Sequence, residues 1–253
     1  MKLIKLGGRV QSDPALAGAV SEMWNAEPGS VCIVHGGGDE ISTLQRSLGR
    51  EPLFVNGRRI TTDEDVELVR MVLSGSANKR LVASLSSAGV PAVGISGEDG
   101  GILSAEPIDA ATFGRSGKPV SANPELISAL LRGGFCPVVS PVGTDITSPD
   151  RQALNVNGDD AAAVIAGALG AELWLIADVE GVLDKNRELI QSMDQAMTDA
   201  LVADGTVNAG MRAKLEAGFH ALAAGAAGVR IAGLGALKGN DTGTLLSLTP
   251  SMT

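Results

Sequence analysis

Six short apolar runs recur along the chain, "KLIKL", "VCIVH", "PAVGI", "CPVVS", "LWLIAD" and "GVRIAG", and amphipathic or alanine-rich stretches flank most of them. Strands buried on both faces of a parallel sheet read as continuous apolar runs, with helices making the crossovers between them. The pattern therefore predicts an α/β protein with a largely parallel sheet. Helices are expected near residues 13–26 and from about Asp39 to Leu48. Another should start at "DEDVELVRMVL", where Thr62 is a ready N-cap and acids fill the first turn. Gly75 is expected to interrupt it before a second helix ends near Gly89. Between these, Asn56-Gly57 is a strong tight-turn dipeptide and predicts a hairpin over 52–61. The Gly-, Ser- and Pro-rich stretch 98–122 reads as a second, irregular β excursion. No repeat, heptad array or low-complexity linker is present, so two lobes would be fused without a flexible tether.

Composition narrows the function. A formal charge of -9 argues against nucleic acid or an anionic membrane as the main partner, because phosphate backbones need a dominating basic face. Aromatic residues make up 2% of the chain and tyrosine is absent, so stacking platforms are poorly supplied. Cys32 and Cys136 sit inside apolar runs, where a thiol acts as a small buried hydrophobe, and neither has metal-ligand spacing. With only His35 and His220, a histidine-rich metal site cannot be built, and a divalent ion would have to arrive on a substrate's phosphates. No apolar stretch is long enough to span a bilayer, and the opening "MKLIKLGG" lacks the layout of a secretory leader. A cytoplasmic location is the expectation.

Ligands of open parallel sheets bind outside the carboxyl ends of the strands, and the unusual residues collect there. Lys5 ends the first run just before Gly7-Gly8. His35 and Gly36-Gly37-Gly38 end the second, and Asp178 and Gly181 follow "LWLIA". A glycine turn opening a helix presents free N–H groups and the positive end of a dipole to an anion. Any one glycine is explained by a tight turn alone; three together beside Lys5 favour an anion site. The Walker loop, the protein-kinase signatures, the GxGxxG fingerprint and the GxSxG elbow are all missing. His220 lies in a helical run, where a filler role suits it. In "LNVNGDDAAAV", Asn155, Asn157 and Asp159 stand at the entrance to an alanine-rich helix, and capping would account for one of them. In "NAGMRAKLEAGFHAL", Lys214 borders the apolar stripe Met211, Leu215, Gly218 and Leu222. It either points into a cleft or snorkels across the edge of the core.

Taken together and in order, "IKLGG" (4–8), "IVHGGG" (33–38), "NGRRIT" (56–61), "SGSANKRLV" (74–82), "NVNGDDAA" (155–162), "IADVEGVLD" (176–184) and "GMRAK" (210–214) resemble the amino acid kinase family, most closely its acetylglutamate kinase branch. The resemblance spans nearly the whole chain. It implies an open αβα sandwich, with residues 1–150 as a lobe for substrate binding and dimerisation and 151–253 as a lobe for ATP. It implies ATP with Mg2+ held mainly by the nucleotide phosphates, and N-acetyl-L-glutamate as the small-molecule substrate. By matching motifs, Lys5 and Lys214 would touch the phosphoryl group in flight, Asp159 would organise them, and Gly8, Gly37 and Gly38 would line its path. Arg59 would hold the substrate α-carboxylate, and Asn155 the surroundings of the acetylated amino group. Asp178, Val179, Gly181, Val182, Leu183, Thr206, Val207 and Asn208 would lie around the nucleotide, with no metal ligand supplied by the chain. Two departures stand out. Asn208-Ala209-Gly210-Met211 replaces the common threonine-glycine-glycine-methionine, and Gly158 replaces a common alanine. The chain starts at its first strand without the N-terminal helix of arginine-inhibited hexamers, so an arginine-insensitive homodimer joined around the 62–75 helix is expected. A kinase for a carrier-bound aminoadipate or glutamate, and a non-catalytic sensor of the same fold, remain the alternatives.

Overall fold

The computed structural model describes residues 1–248 except Asn56, Asn240 and Asp241. Its first half runs β1 (Lys2–Leu6), α1 (Leu16–Ala26), β2 (Val31–His35), α2 (Gly38–Ser47), β3 (Phe54–Val55), β4 (Arg58–Arg59), α3 (Asp63–Val69), a π-helical segment (Arg70–Ala77), α4 (Asn78–Ser87), β5 (Ala92–Ser96), β6 (Leu103–Pro107), α5 (Ala110–Phe113), β7 (Ser116–Ala122), α6 (Glu125–Arg132), β8 (Cys136–Ser140) and β9 (Val142–Asp145). Then follow β10 (Ala153–Val156), α7 (Gly158–Leu169), β11 (Glu172–Ile176), β12 (Ser192–Met193), α8 (Gln195–Ala203), α9 (Ala209–Ala223), β13 (Gly228–Ala232) and β14 (Thr244–Leu246).

All six apolar runs form strands of one sheet, in the order β12-β14-β13-β11-β1-β2-β8-β5. Every neighbouring pair is parallel except β13 with β14. Every residue of β2 and β8 is buried, as the unbroken apolar runs require when both faces are covered. Cys32 and Cys136 are free and buried on these two strands. Helix α7 packs closely because its core face is alanine: Ala161, Ala162, Ala163 and Ala166 are all fully buried. Strand β1 lies between β2 and β11, so the sheet continues without a break across residue 150, and one apolar core unites Leu3 with Leu246.

Local signals held where the chemistry is local. Thr62 caps α3 in a full capping box, with its hydroxyl accepting from Asp65 N–H and the Asp65 carboxylate accepting from Thr62 N–H. The hairpin over 52–61 forms as β3 and β4, pairing Phe54 with Arg59 and Val55 with Arg58; Asn56 lies outside the described residues. Two expectations need revision, and a third, the β excursion over 98–122, is borne out and extended. Helix α1 begins at Leu16, three residues late, because Asp13 turns the chain by accepting from Ala15 N–H at 2.8 Å. Gly75 does not interrupt its helix: α3 passes through the π-helical Arg70–Ala77 directly into α4. A wider π turn keeps the backbone paired, and a glycine inside a helix costs only about 1 kcal/mol relative to alanine. The excursion over 98–122 is half of a small closed barrel, β10-β7-β6-β9, whose other strands come from 142–156.

Candidate active site

The carboxyl ends of β1, β2 and β11 and the amino ends of α7 and α9 converge on one carboxylate. Asn157 caps α7 by accepting from Asp159 and Asp160 N–H, which fixes Asp159 in the first helical turn. Asn208 caps α9 in the same way through Met211 N–H, and the helix carries Lys214 inwards one turn later. Lys5 Nζ stands 2.7 Å from Asp159 Oδ1, and Lys214 Nζ donates to Asp159 Oδ2 at 3.0 Å. Lys5 and Asp159 are each only 7% exposed. Burial disfavours the Asp159 carboxylate, but the ammoniums of Lys5 and Lys214 outweigh it and hold its pKa down to about 2. Burial also lowers the Lys5 pKa, with Lys214 adding to the effect and Asp159 opposing it. Gly158 belongs to this arrangement, since a Cβ there would lie 3.3 Å from Lys5 Cε.

Three cavities adjoin one another here, two of them lined by members of the Lys5–Asp159–Lys214 triad. One of about 200 Å³ is walled by Gly36–Gly38, Arg59, Leu73 and Asn155. A second, about 360 Å³, holds Lys5, Gly8 and Lys214 and shares the Gly36–Gly38 wall. A third, about 850 Å³, shares Lys214 and Asp178 with the second and extends past Val179 and Asn208. Gly181, Val182, Leu183, Thr206 and Val207 do not form its wall. Val182 and Val207 are core residues, and a Cβ at Gly181 would meet Leu189 at 2.5 Å. Val182 N–H donates to Thr244 Oγ1, so this segment braces the floor behind the cavity. His220 is exposed on α9 and takes no place in the core.

The hairpin closes the smallest cavity. Arg59 is buried over the Phe54 ring, 4.7 Å from its centroid. Its Nη2 donates to Gly38 O and Ser42 Oγ, both at 2.8 Å, and its Nη1 to Gln45 Oε1. One hydrogen on Nε and one on Nη1 are left for a ligand among the described residues. Arg58 donates through both Nη1 and Nη2 to Asp160 Oδ2 at 3.1 Å, tying the hairpin to the first turn of α7. Asn155 Nδ2 donates to Thr61 Oγ1 at 3.0 Å, and the residue lines the same cavity.

Behind the glycine turn stand residues that no local signal singled out. A Cβ at Gly37 would come within 2.6 Å of Cδ2 of Leu73, on the π-helical segment, so that side chain would have to shift. A Cβ at Gly36 or Gly38 would meet nothing closer than 3.9 Å. His35 was visible as the end of a strand, whereas Gln11, Gln45 and Asn78 sat in ordinary helical or loop sequence. Their part depends on contacts made 14 to 43 residues away in the chain.

The chain matches known proteins over most of its length. The pattern of the amino acid kinase family matches residues 1–233. Acetylglutamate kinase of Paracoccus denitrificans (strain Pd 1222) is 45% identical over 200 residues, covering 79% of this chain and 65% of that protein. Acetylglutamate kinase of Geobacillus kaustophilus (strain HTA426) is 42% identical over 224 residues, covering 87% and 84%. Among solved structures, smu.665 from Streptococcus mutans UA159 superposes with a TM-score of 0.85 at 27% identity, over 98% of each chain. On its fold, its motifs and these relatives, the chain belongs to the amino acid kinase family.

Proposed function

We propose that the protein transfers the γ-phosphoryl group of ATP to the side-chain carboxylate of N-acetyl-L-glutamate, the acetylglutamate kinase step of arginine biosynthesis. One observation carries this reading. Asp159 holds two lysines between a transfer cleft and a large open cavity, and a glycine wall joins that cleft to a small pocket carrying Arg59 and Asn155. The relatives named above support the choice of substrate.

The acceptor is already an anion at neutral pH, so no general base is needed. A carboxylate oxygen forms a bond to the γ-phosphorus as the bond from that phosphorus to the bridging oxygen breaks, and ADP leaves. Catalysis is alignment plus charge stabilisation: Lys5 and Lys214 face the oxygens that gain charge, and Gly8, Gly37 and Gly38 line the path. The free donors of Arg59 take the α-carboxylate, and Asn155 faces the acetylated amino group. Residues 1–150 supply most of the acceptor pocket and 151–253 most of the nucleotide cavity, with Asp178, Val179 and Asn208 on its wall. Gly181, Val182, Leu183, Thr206 and Val207 support that wall from behind. Magnesium comes with the phosphates: both Asp159 oxygens already face lysines, which suits a metal held by the nucleotide and not by this carboxylate.

A homodimer joined around 62–75 is part of this proposal, supported by Met71, an apolar side chain 60% exposed on the π-helical segment. No described helix is long and apolar enough to cross a membrane, which agrees with a cytoplasmic enzyme. The test is magnesium-dependent ADP release with N-acetyl-L-glutamate, free glutamate, aspartate and aminoadipate offered separately, the acyl phosphate being trapped by hydroxylamine. A hydroxamate from N-acetyl-L-glutamate alone is expected. Turnover of another acceptor would change the substrate, and silence with all four would point to a carrier-bound acceptor or a sensor.

A further inference from the structure

His35 is fully buried, and the reaction proposed above gives it no task. Its surroundings fix its tautomer. Asn78 Nδ2 donates to Val138 O at 2.9 Å, while Asn78 Oδ1 accepts from Lys79 Nζ at 3.2 Å, so the amide cannot be turned round. The same Nδ2 faces His35 Nε2 at 3.1 Å, which makes Nε2 the acceptor and leaves the proton on Nδ1. That Nδ1–H lies 2.8 Å from Gly36 O. Gln11 Nε2 donates to the same carbonyl at 3.2 Å, and reaches Gly7 O of the neighbouring glycine turn at 3.4 Å.

A trans peptide is planar, with its C=O and N–H pointing in opposite directions. Holding Gly36 O against His35 and Gln11 therefore turns Gly37 N–H the other way. None of the described groups accepts from that N–H, and Gly37 lines both the acceptor pocket and the cleft around Lys5. Between two glycines, a peptide plane without such a brace rotates at little steric cost.

We infer that His35 is a positioning residue for phosphoryl transfer: with Gln11 it clamps the Gly36 carbonyl and so aims the Gly37 N–H at the group in flight. Asn78 sets the tautomer that makes the clamp work. The inference deepens the proposed kinase reading and rests on it for the identity of the moving group. Burial lowers the His35 pKa, in keeping with a neutral ring. An imidazolium would also set Nε2–H against the Asn78 N–H.

Two measurements test it, and the first needs no turnover. In the 15N spectrum of the whole protein near neutral pH, His35 should show a protonated, pyrrole-type Nδ1 and a pyridine-type Nε2. An Nε2–H tautomer or an imidazolium would overturn the inference. The second compares His35→Leu with His35→Asn, whose amide nitrogen can stand near the Nδ1 position. His35→Leu should lower kcat by roughly 10–100-fold, less than the loss of a direct donor, with KM for both substrates within about threefold. His35→Asn should recover most of kcat. Equal losses in two folded variants, or an unchanged kcat in His35→Leu, would reduce His35 to a packing residue. If the unsubstituted protein failed to phosphorylate N-acetyl-L-glutamate, the substrate reading would fall, while the ring-nitrogen spectrum would still decide whether the clamp exists.

Discussion

The acceptor pocket meets the cleft around Lys5 at Gly36–Gly38, and the nucleotide cavity meets that cleft at Asp178 and Lys214, yet the two sides are built in opposite ways. On the acceptor side the polar groups are already engaged. Arg59 is braced by Gly38, Ser42 and Gln45, Asn155 by Thr61, and Ser116 by Thr61 and the Arg59 carbonyl. On the nucleotide side, the Arg9–Asp178 pair joins side chains 83% and 58% exposed, and Val179 faces solvent. A small acceptor brings few contacts of its own, so the protein must prearrange both its orientation and its selectivity. A nucleotide brings charge, metal and surface, and an open cavity can be ordered by what it binds.

The junction should be the most sensitive point. Lys5→Ala or Lys214→Ala is expected to slow hydroxamate formation by about 10²–10³-fold, or about 3–4 kcal/mol, as for one lost transition-state donor. Near-normal turnover in both would mean that the two sides do not meet at the triad.

The Asp159 charge should also matter to folding. Its carboxyl sits at about 2 in the folded chain against an ordinary 3.8, so the stabilisation is present above the ordinary value and lost as pH falls through the folded one. The difference corresponds to about 2 kcal/mol. Denaturant midpoints measured from neutral pH down toward the folded pKa should therefore fall less steeply in Asp159→Asn than in the parent. Parallel curves would show that the carboxylate is not held by its lysines.

Within the acceptor side, Arg59→Lys removes the planar fork shared by Gly38 and Ser42 and the stacking on Phe54. KM for the acceptor should rise about tenfold with a smaller change in kcat, since an ammonium cannot reproduce that geometry. An unchanged KM would move the carboxylate site elsewhere, with Arg58 next in reach once freed from Asp160. The smallest effect belongs to the nucleotide side. Arg9→Ala breaks only an exposed ion pair and should alter stability by less than about 0.5 kcal/mol in thermal unfolding. A larger loss would show that this side is prearranged as well.

How much of this was legible in the sequence depended on the range of the interactions. The six apolar runs, the Thr62 cap and the hairpin at Gly57 are local patterns, and all appear in the fold. The π-helical passage through Gly75 escaped, because a glycine breaks a pattern without dictating which hydrogen-bond ladder carries the chain past it. The barrel escaped too, because β9 and β10 are only four residues each and gain their partners from 103–122. At the site, Lys5, Asp159 and Lys214 each had an ordinary explanation: the end of a strand, a helix first turn, a snorkelling stem. Their ordered motifs suggested a common purpose, but their contact required the placement of β1 between β2 and β11.

The sequence by itself determined the class of fold, the positions of the strand ends and the set of residues able to handle an anion, since periodicity, caps and glycine turns act over a few neighbours. Only the tertiary structure decided that residues 5, 159 and 214 share one carboxylate, that Arg59 is braced before any ligand arrives, and that His35 faces Gly36 and Asn78. Those contacts arise from strand order and helix packing, which bring distant segments together wherever the shared apolar core requires, and no local pattern encodes where a side chain will find its partner.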